Sequence, residues 1–257
     1  MLILALDTAT RVCSVALWKG DTGDMVAEYT QNIKKTHSQR LLPLVDQVLT
    51  DTATDKSHIE AIAVAAGPGS FTGLRIGVST ARALAQGLKV PAVGVSTLEA
   101  LAGNLSTVRN ELICPLLDAR RDQVYSALYR YDTAHPGQQC KDESKCTLKN
   151  ILSPRALSIN DLLSIINQYQ ERVYFPGDGL FKYAPFLQEE LGNRFAEIPS
   201  HLALNRASAV ARCAAEKLLH AEYPLQEEYS LYDLQPYYLR LPEAERKYRQ
   251  QSHQHEA

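Results

Sequence analysis

The 257 residues suffice for one large domain or two small ones, and a chain this long buries roughly 70–75% of its unfolded surface, so it needs neither disulfide nor metal to fold. An apolar fraction of 45% and a charged fraction of 22% exclude a disordered, collagen-like or coiled-coil chain. Lys plus Arg number 27 against 29 Asp plus Glu, a net of −2, so no global field draws in nucleic acid, and any RNA contact has to be local or supplied by a partner.

Residues 2–6 and 13–17 are β-prone runs flanking Asp7-Thr8-Ala9-Thr10-Arg11, which reads as a hairpin with a polar tip. The apolar opening meets Asp7 at once with no basic segment before it, so it is not a signal peptide. Residues 25–29 supply a third strand after a Gly-Asp turn cluster. Leu41, Leu42, Leu44, Val45, Val48 and Leu49 then recur at helical spacing behind Thr36, with Pro43 expected to bend the helix or mark its first turns. Residues 59–65 are a buried strand running into Gly67-Pro68-Gly69-Ser70-Phe71-Thr72-Gly73, followed by a helix over 74–88, a strand over 91–95 and a helix over 97–102.

Three hairpin-type strands followed by crossover helices predict a mixed sheet of the ribonuclease-H type found in the actin, Hsp70 and sugar-kinase superfamily. The second half repeats the idea: strands over 112–117 and 123–131 around the turn 118–122, a polar insertion over 131–150, a helix opened by Ser158-Ile159-Asn160-Asp161, a strand over 173–175 ending at Pro176-Gly177-Asp178-Gly179, and a helix over 181–191 stopped by Gly192. An alanine-rich helix over 207–219 could return to the first half. The expected organisation is an α/β protein of two ribonuclease-H-like subdomains, 1–105 with helix 206–220 and then 106–205, plus a C-terminal segment 221–257 that is polar from about Glu243.

No run approaches the ~20 apolar residues of a membrane helix. The five scattered cysteines (Cys13, Cys114, Cys140, Cys146, Cys213) read as reduced thiols, so a soluble cytoplasmic protein is expected. Cys140 and Cys146 stand too far apart for a zinc knuckle, and His37 has Leu41 where a His-x-x-x-His metal pair needs its second histidine, so no metal site is expected.

Glycines 67, 69 and 73 with Ser70 and Thr72 sit where a strand turns into a helix, where backbone amides and a helix N-terminus can hold a phosphate. The spacing is neither a dinucleotide fingerprint nor a Walker A loop, and on spacing alone a tight strand-to-helix turn without ligand is the favoured reading. Asp7 and Thr8 could hold a phosphate or hydrated Mg²⁺, or only shape their turn. Ser70 lacks the Gly-x-Ser-x-Gly elbow of a nucleophile. The charges of Asp118-Ala119-Arg120-Arg121-Asp122 suit a solvated turn, and Gly177-Asp178-Gly179 either approaches a nucleotide or is a strand end. Gly73, Gly77, Ala81 and Ala85 form a small-residue stripe, read either as packing on the chain's own sheet or as a helix–helix interface with another subunit.

The strings Ile3-Leu4-Ala5-Leu6-Asp7-Thr8-Ala9-Thr10, the loop from Gly67 to Gly77, His37-Ser38 with Leu41-Leu42-Pro43, Asp118-Ala119-Arg120-Arg121 with Gln123-Val124-Tyr125, and Pro236-Tyr237-Tyr238-Leu239-Arg240 resemble the bacterial TsaB (YeaZ) family. The resemblance spans most of the chain apart from 132–170 and the tail. It implies a non-catalytic paralogue of the transferase TsaD that supports TsaD, together with the ATPase TsaE, in making threonylcarbamoyladenosine beside the tRNA anticodon. It also implies a heterodimer with TsaD, a homodimer when alone, tRNA contact through the complex, and no membrane. By position, the interface would use His37, Leu41, Leu44, Val45, Gly77, Val78, Ala81 and Ala85, so that Gly77→Glu or Ala81→Glu should break pairing. Asp7, Thr8, Gly67, Gly69, Ser70, Thr72 and Gly73 would be a vestigial phosphate site, with ATP or ADP at or near the partner interface and no certain cofactor. The rival reading is a phospho- or carbamoyltransferase acting alone through Asp7 and the glycine loop. A third, an RNA-binding module, is opposed by the net charge and by the lack of a basic-aromatic strip along the chain, which leaves weak, salt-dependent tRNA binding.

Overall fold

In the first strands, large and small side chains alternate, and that alternation decides what each sheet face carries. The computed structural model describes residues 1–33, 35–132, 147–219 and 233–240. In it β1 (Leu2–Asp7), β2 (Cys13–Lys19) and β3 (Asp24–Gln31) form an antiparallel meander. Parallel to β1 come β4 (Ala61–Gly67) and then β5 (Ala92–Ser96), giving the ribonuclease-H-like order β3-β2-β1-β4-β5. Leu4, Leu6, Val15, Leu17, Ile62 and Val64 face α1 (His37–Asp51) and α2 (Phe71–Leu88). On the other face, Ala5, Ala16, Ala61, Ala63 and Ala65 meet an alanine-rich helix, α6, introduced below.

The second half uses the same plan with shorter pieces. Its first strand is broken into β6 (Leu112–Ile113) and β7 (Leu116–Asp118), where a single strand over 112–117 is expected, because Pro115 has no N–H to give the ladder. Both pieces pair with β8 (Gln123–Asp132), which pairs in turn with β9 (Thr147–Ser158); on the other side of β6 lie β10 (Val173–Tyr174) and β11 (Phe195–Ala196). One face is covered by α4 (Ile159–Ile166) and α5 (Leu180–Leu191), the other by α3 (Thr97–Gly103), whose Leu98 and Leu101 share a core with Ile113, Tyr129 and Tyr131.

The polar stretch expected to reach residue 150 as an insertion instead enters β9 at Thr147, its polar residues pairing in register with β8 (Arg130 with Lys149, Tyr129 with Asn150). What remains of that insertion, the cysteines at 140 and 146, and the polar tail from Glu243 fall outside the described residues. The three described cysteines, Cys13, Cys114 and Cys213, are buried free thiols. Among the described residues no helix is long and apolar enough to cross a membrane.

The last helix, α6 (Ala207–Leu219), lies on the alanine face of the first sheet. Its N-terminus is held from two strands: Ser14 Oγ accepts from the Ala207 amide at 3.0 Å, and the Glu28 carboxylate accepts from the Ser208 amide at 2.9 Å and from the Ser208 hydroxyl at 2.8 Å. Arg206 closes the arrangement with an ion pair to the same carboxylate, which is 5% exposed. A negative group at a helix N-terminus meets free amides and the positive end of the helix dipole. Glu28→Ala is therefore expected to cost about 2–3 kcal/mol, since it strands a charge and two donors. Urea unfolding reads this directly, and an unchanged midpoint would contradict it.

Candidate functional site

The end of β1 and the glycine loop are locked into each other. Thr8 donates its hydroxyl to the Gly73 carbonyl at 2.7 Å, and the Ser70 amide donates to the Ala9 carbonyl at 2.7 Å. A Cβ at Gly73 would sit 2.1 Å from the Thr8 oxygen and one at Gly69 would sit 2.3 Å from the Ala9 oxygen, so these glycines serve close approach of two backbones. Gly67, at φ +129°, makes the same allowance for the Tyr237 carbonyl. Helix α2 starts at Phe71, three residues earlier than its apolar spacing indicates, because Ser70 caps it by accepting from the Gly73 amide.

Asp7 and Thr8 are completely buried. The Asp7 carboxylate accepts from the Ala9 amide at 2.9 Å and from the Asn205 side-chain amide at 3.1 Å, and Asn205 is held in turn by the Thr10 hydroxyl. Burial is the main force that pushes the Asp7 carboxyl up from 3.8 to about 6, against the lowering effect of the two hydrogen bonds. Of the seven residues expected to form a phosphate site, the structure places Asp7, Thr8, Gly67 and Gly73 inside the protein and brings only Gly69, Ser70 and Thr72 to a cleft.

That cleft, about 710 Å³, opens between the two sheets. One wall is the loop with Arg11, Lys35 and His37; the other is Asp118 to Arg121 with Tyr125 and Asp178; the segment from Tyr237 to Arg240 lies across it. His37 is half-buried, with Nε2 2.7 Å from the Thr10 carbonyl, so that nitrogen carries the proton and donates. Its Nδ1 accepts from Arg40 at 3.3 Å, and burial lowers its pKa, keeping the ring neutral. Arg40, buried on α1, ties that helix to the Gln31 and Arg11 carbonyls, a role its sequence context does not announce. Among the described residues no group of three His, Cys, Asp or Glu side chains is placed to hold a metal ion.

The expected interface residues divide differently from their spacing. Leu41, Leu44, Val45, Val78, Ala81 and Ala85 are core side chains, and a Cβ on Gly77 would meet the Thr8 hydroxyl at 2.4 Å. The small-residue stripe thus packs on the chain's own sheet, and Gly77→Glu or Ala81→Glu would break the fold before it reported on pairing. The outward rows of the same helices, Ser38, Leu42, Arg75, Ile76, Ser79 and Thr80, line a shallow groove of about 380 Å³ between α1 and α2. Leu42 is 55% exposed there.

Comparison with known proteins fits this geometry. The family described as TsaD, tRNA N6-adenosine threonylcarbamoyltransferase, matches residues 24–248. The tRNA threonylcarbamoyladenosine biosynthesis protein TsaB of Bacillus subtilis is 34% identical over 248 residues, covering 96% of this chain and 98% of that protein. This chain belongs to the TsaB family. The Escherichia coli member is 44% identical over 133 residues, covering 51% of this chain and 56% of that protein. YeaZ from Pseudomonas aeruginosa superposes with a TM-score of 0.65 at 26% identity, covering 93% of this chain and 99% of that one. A second Pseudomonas aeruginosa structure, titled an uncharacterized protein with similarity to peptidase YEAZ, reaches 0.70 at 27% identity with the same coverage. Of the strings that carry the resemblance, 3–8 lie buried in and just after β1, while 68–72, 118–121 and 237–240 line the cleft.

The buried carboxyl gives the site a pH signature. Because its folded pKa lies above its unfolded value, the native protein keeps a proton that the unfolded chain has released between about pH 4 and pH 6. Stability contributed by Asp7 therefore falls as pH rises through that window and is flat above it. Relative to Asp7→Asn, the wild-type unfolding free energy should drop by on the order of 3 kcal/mol from pH 4 to pH 7. Parallel stability–pH curves for the two proteins would contradict this.

Proposed function

We propose that this chain is an accessory subunit of tRNA threonylcarbamoyladenosine synthesis, binding a TsaD-type transferase through the outward face of α1 and α2 and not itself carrying the transfer chemistry. The observation that carries the reading is the apolar groove between α1 and α2, where Leu42, 55% exposed, lies with Ile76 on the outward rows of two helices whose inner rows fill the core. The family match supports a TsaD-type partner, since a transferase built on the same fold would present corresponding helices, and such a face can also pair with a second copy. The isolated chain is accordingly a homodimer that gives way to the heterodimer, with the ATPase TsaE acting on the assembled pair in the cytoplasm.

Two features support a non-catalytic role. Leu41, in the core, occupies the position where a metal-binding helix would need a second histidine after His37, and the His37 Nε2 is spent on the Thr10 carbonyl. Asp7 and Thr8, the residues a phosphotransferase would use, direct their polar atoms into the protein.

Size exclusion with light scattering, on the chain mixed with the TsaD-type transferase of the same organism, tests the assignment. Leu42→Asp should weaken the heterodimer at least about tenfold, because it puts a charge into the desolvated centre of the contact, while leaving the unfolding midpoint unchanged. Association unaffected by Leu42→Asp would refute the placement. ATP turnover by the chain alone, abolished by Asp7→Ala, would refute the accessory role.

A further inference from the structure

We propose that the cleft between the two sheets is a binding site for single-stranded RNA, with phosphates held by cations from both walls and an unpaired base stacked on the aromatic rim. The proposal rests on the chain working on tRNA, but not on the helix face assigned to the transferase.

The charge at the cleft runs against that of the molecule. Five cations, Arg11, Lys35, Arg120, Arg121 and Arg240, line it against two carboxylates, Asp118 and Asp178, in a chain whose net charge is −2. Both carboxylates are turned to structural use: Asp178 accepts from the Asp118 amide at 3.2 Å, and Asp118 accepts from the Arg120 amide at 2.9 Å. Among the described residues no carboxylate pairs with Arg11, Lys35 or Arg120. A local positive field in a negative protein is the electrostatic footprint of an anionic ligand.

The turn that carries two of the cations is strained. Arg120, Arg121 and Asp122 are three consecutive non-glycine residues in the left-handed region, with φ of 61°, 53° and 56°. The left-handed region is unfavourable for side chains with a Cβ, and strain of this kind persists where the surrounding fold over-determines it, as at binding sites. The turn is pinned from across the cleft, since Arg240 donates to the Ala119 carbonyl at 3.0 Å.

The rim supplies stacking surface. Phe71 and Tyr238 have ring centroids 5.0 Å apart, the Arg75 guanidinium lies 3.9 Å over the Phe71 ring, and Tyr237 beside them is 52% exposed. Cations interleaved with exposed aromatic rings are what unpaired nucleotides bind. A cleft of about 710 Å³ admits a flipped or unpaired nucleotide but no duplex. A free nucleotide polyphosphate fits less well: its cradle would be the glycine loop, and there the Thr8 and Ala9 carbonyls fill the close approach while the Ser70 amide is already donated.

Fluorescence anisotropy of the full chain alone with a labelled anticodon stem-loop RNA tests the proposal. Binding is expected with Kd on the order of 10⁻⁶–10⁻⁴ M and a steep salt dependence. The double variant Arg11→Ala/Arg120→Ala should weaken it about tenfold and flatten the salt slope by roughly 1.4, about 0.7 for each lost phosphate contact. Tyr237→Ala should weaken it about fivefold or more, and Tyr237→Phe should restore it. Leu42→Asp should bind RNA as the wild type does, so that failure of the transferase contact and failure of the RNA site are told apart. No binding at low salt, an unchanged slope in a folded double variant, or displacement of the RNA by ATP or by duplex RNA at equal phosphate concentration would overturn the proposal.

Discussion

The structure depends on a backbone-to-backbone clamp at the end of β1. Thr8 and Ala9 point their carbonyls at glycines 73 and 69, and the Thr8 hydroxyl and the Ser70 amide close the contact with hydrogen bonds of 2.7 Å. Any side chain at those glycines would have to displace main chain. The clamp fixes the start of α2, hence the α1–α2 face, and it holds the loop in place as one wall of the cleft. Asp7, one residue earlier, extends the same knot through Asn205 toward α6, so both faces of the first sheet are tied to one point.

Much of this arrangement was legible in the chain. In the run Ala61-Ile62-Ala63-Val64-Ala65, large residues on one face and alanines on the other anticipate thick helix packing on one side and the alanine-rich α6 on the other. Ser158 and Gly192 announced the bounds of α4 and α5. The first turn of α2 was hidden because its residues, Phe71-Thr72-Gly73, carry turn chemistry and not helical periodicity. β9 was hidden because its partner strand, not its own apolar pattern, makes it a strand. The small-residue stripe was visible but ambiguous, since close packing on a sheet and close packing on a partner helix select the same side chains.

The basic-aromatic surface escaped sequence reading for a different reason. Its members come from positions 11, 35, 71, 120–121 and 237–240, so no window of the chain contains a strip, and whole-chain charge averages it away. Only the folding of the C-terminal segment across the cleft assembles it. Tyr237 donates its amide to the Ala66 carbonyl in the first half, and Arg240 reaches the Ala119 carbonyl in the second. The same few residues therefore join the halves and shape the surface between them, which adjoins the face centred on Leu42 at Arg75.

In the proposed reading the two surfaces divide the work of an accessory subunit, the α1–α2 face holding the partner and the cleft meeting the RNA. Hydrogen exchange on the chain with and without the TsaD-type transferase tests it most directly. Slowed exchange in α1 and the first half of α2, with the turn at 118–122 and the segment 237–240 unchanged, is the expected result. Protection confined to the cleft segments, or no protection on either helix, would contradict the account.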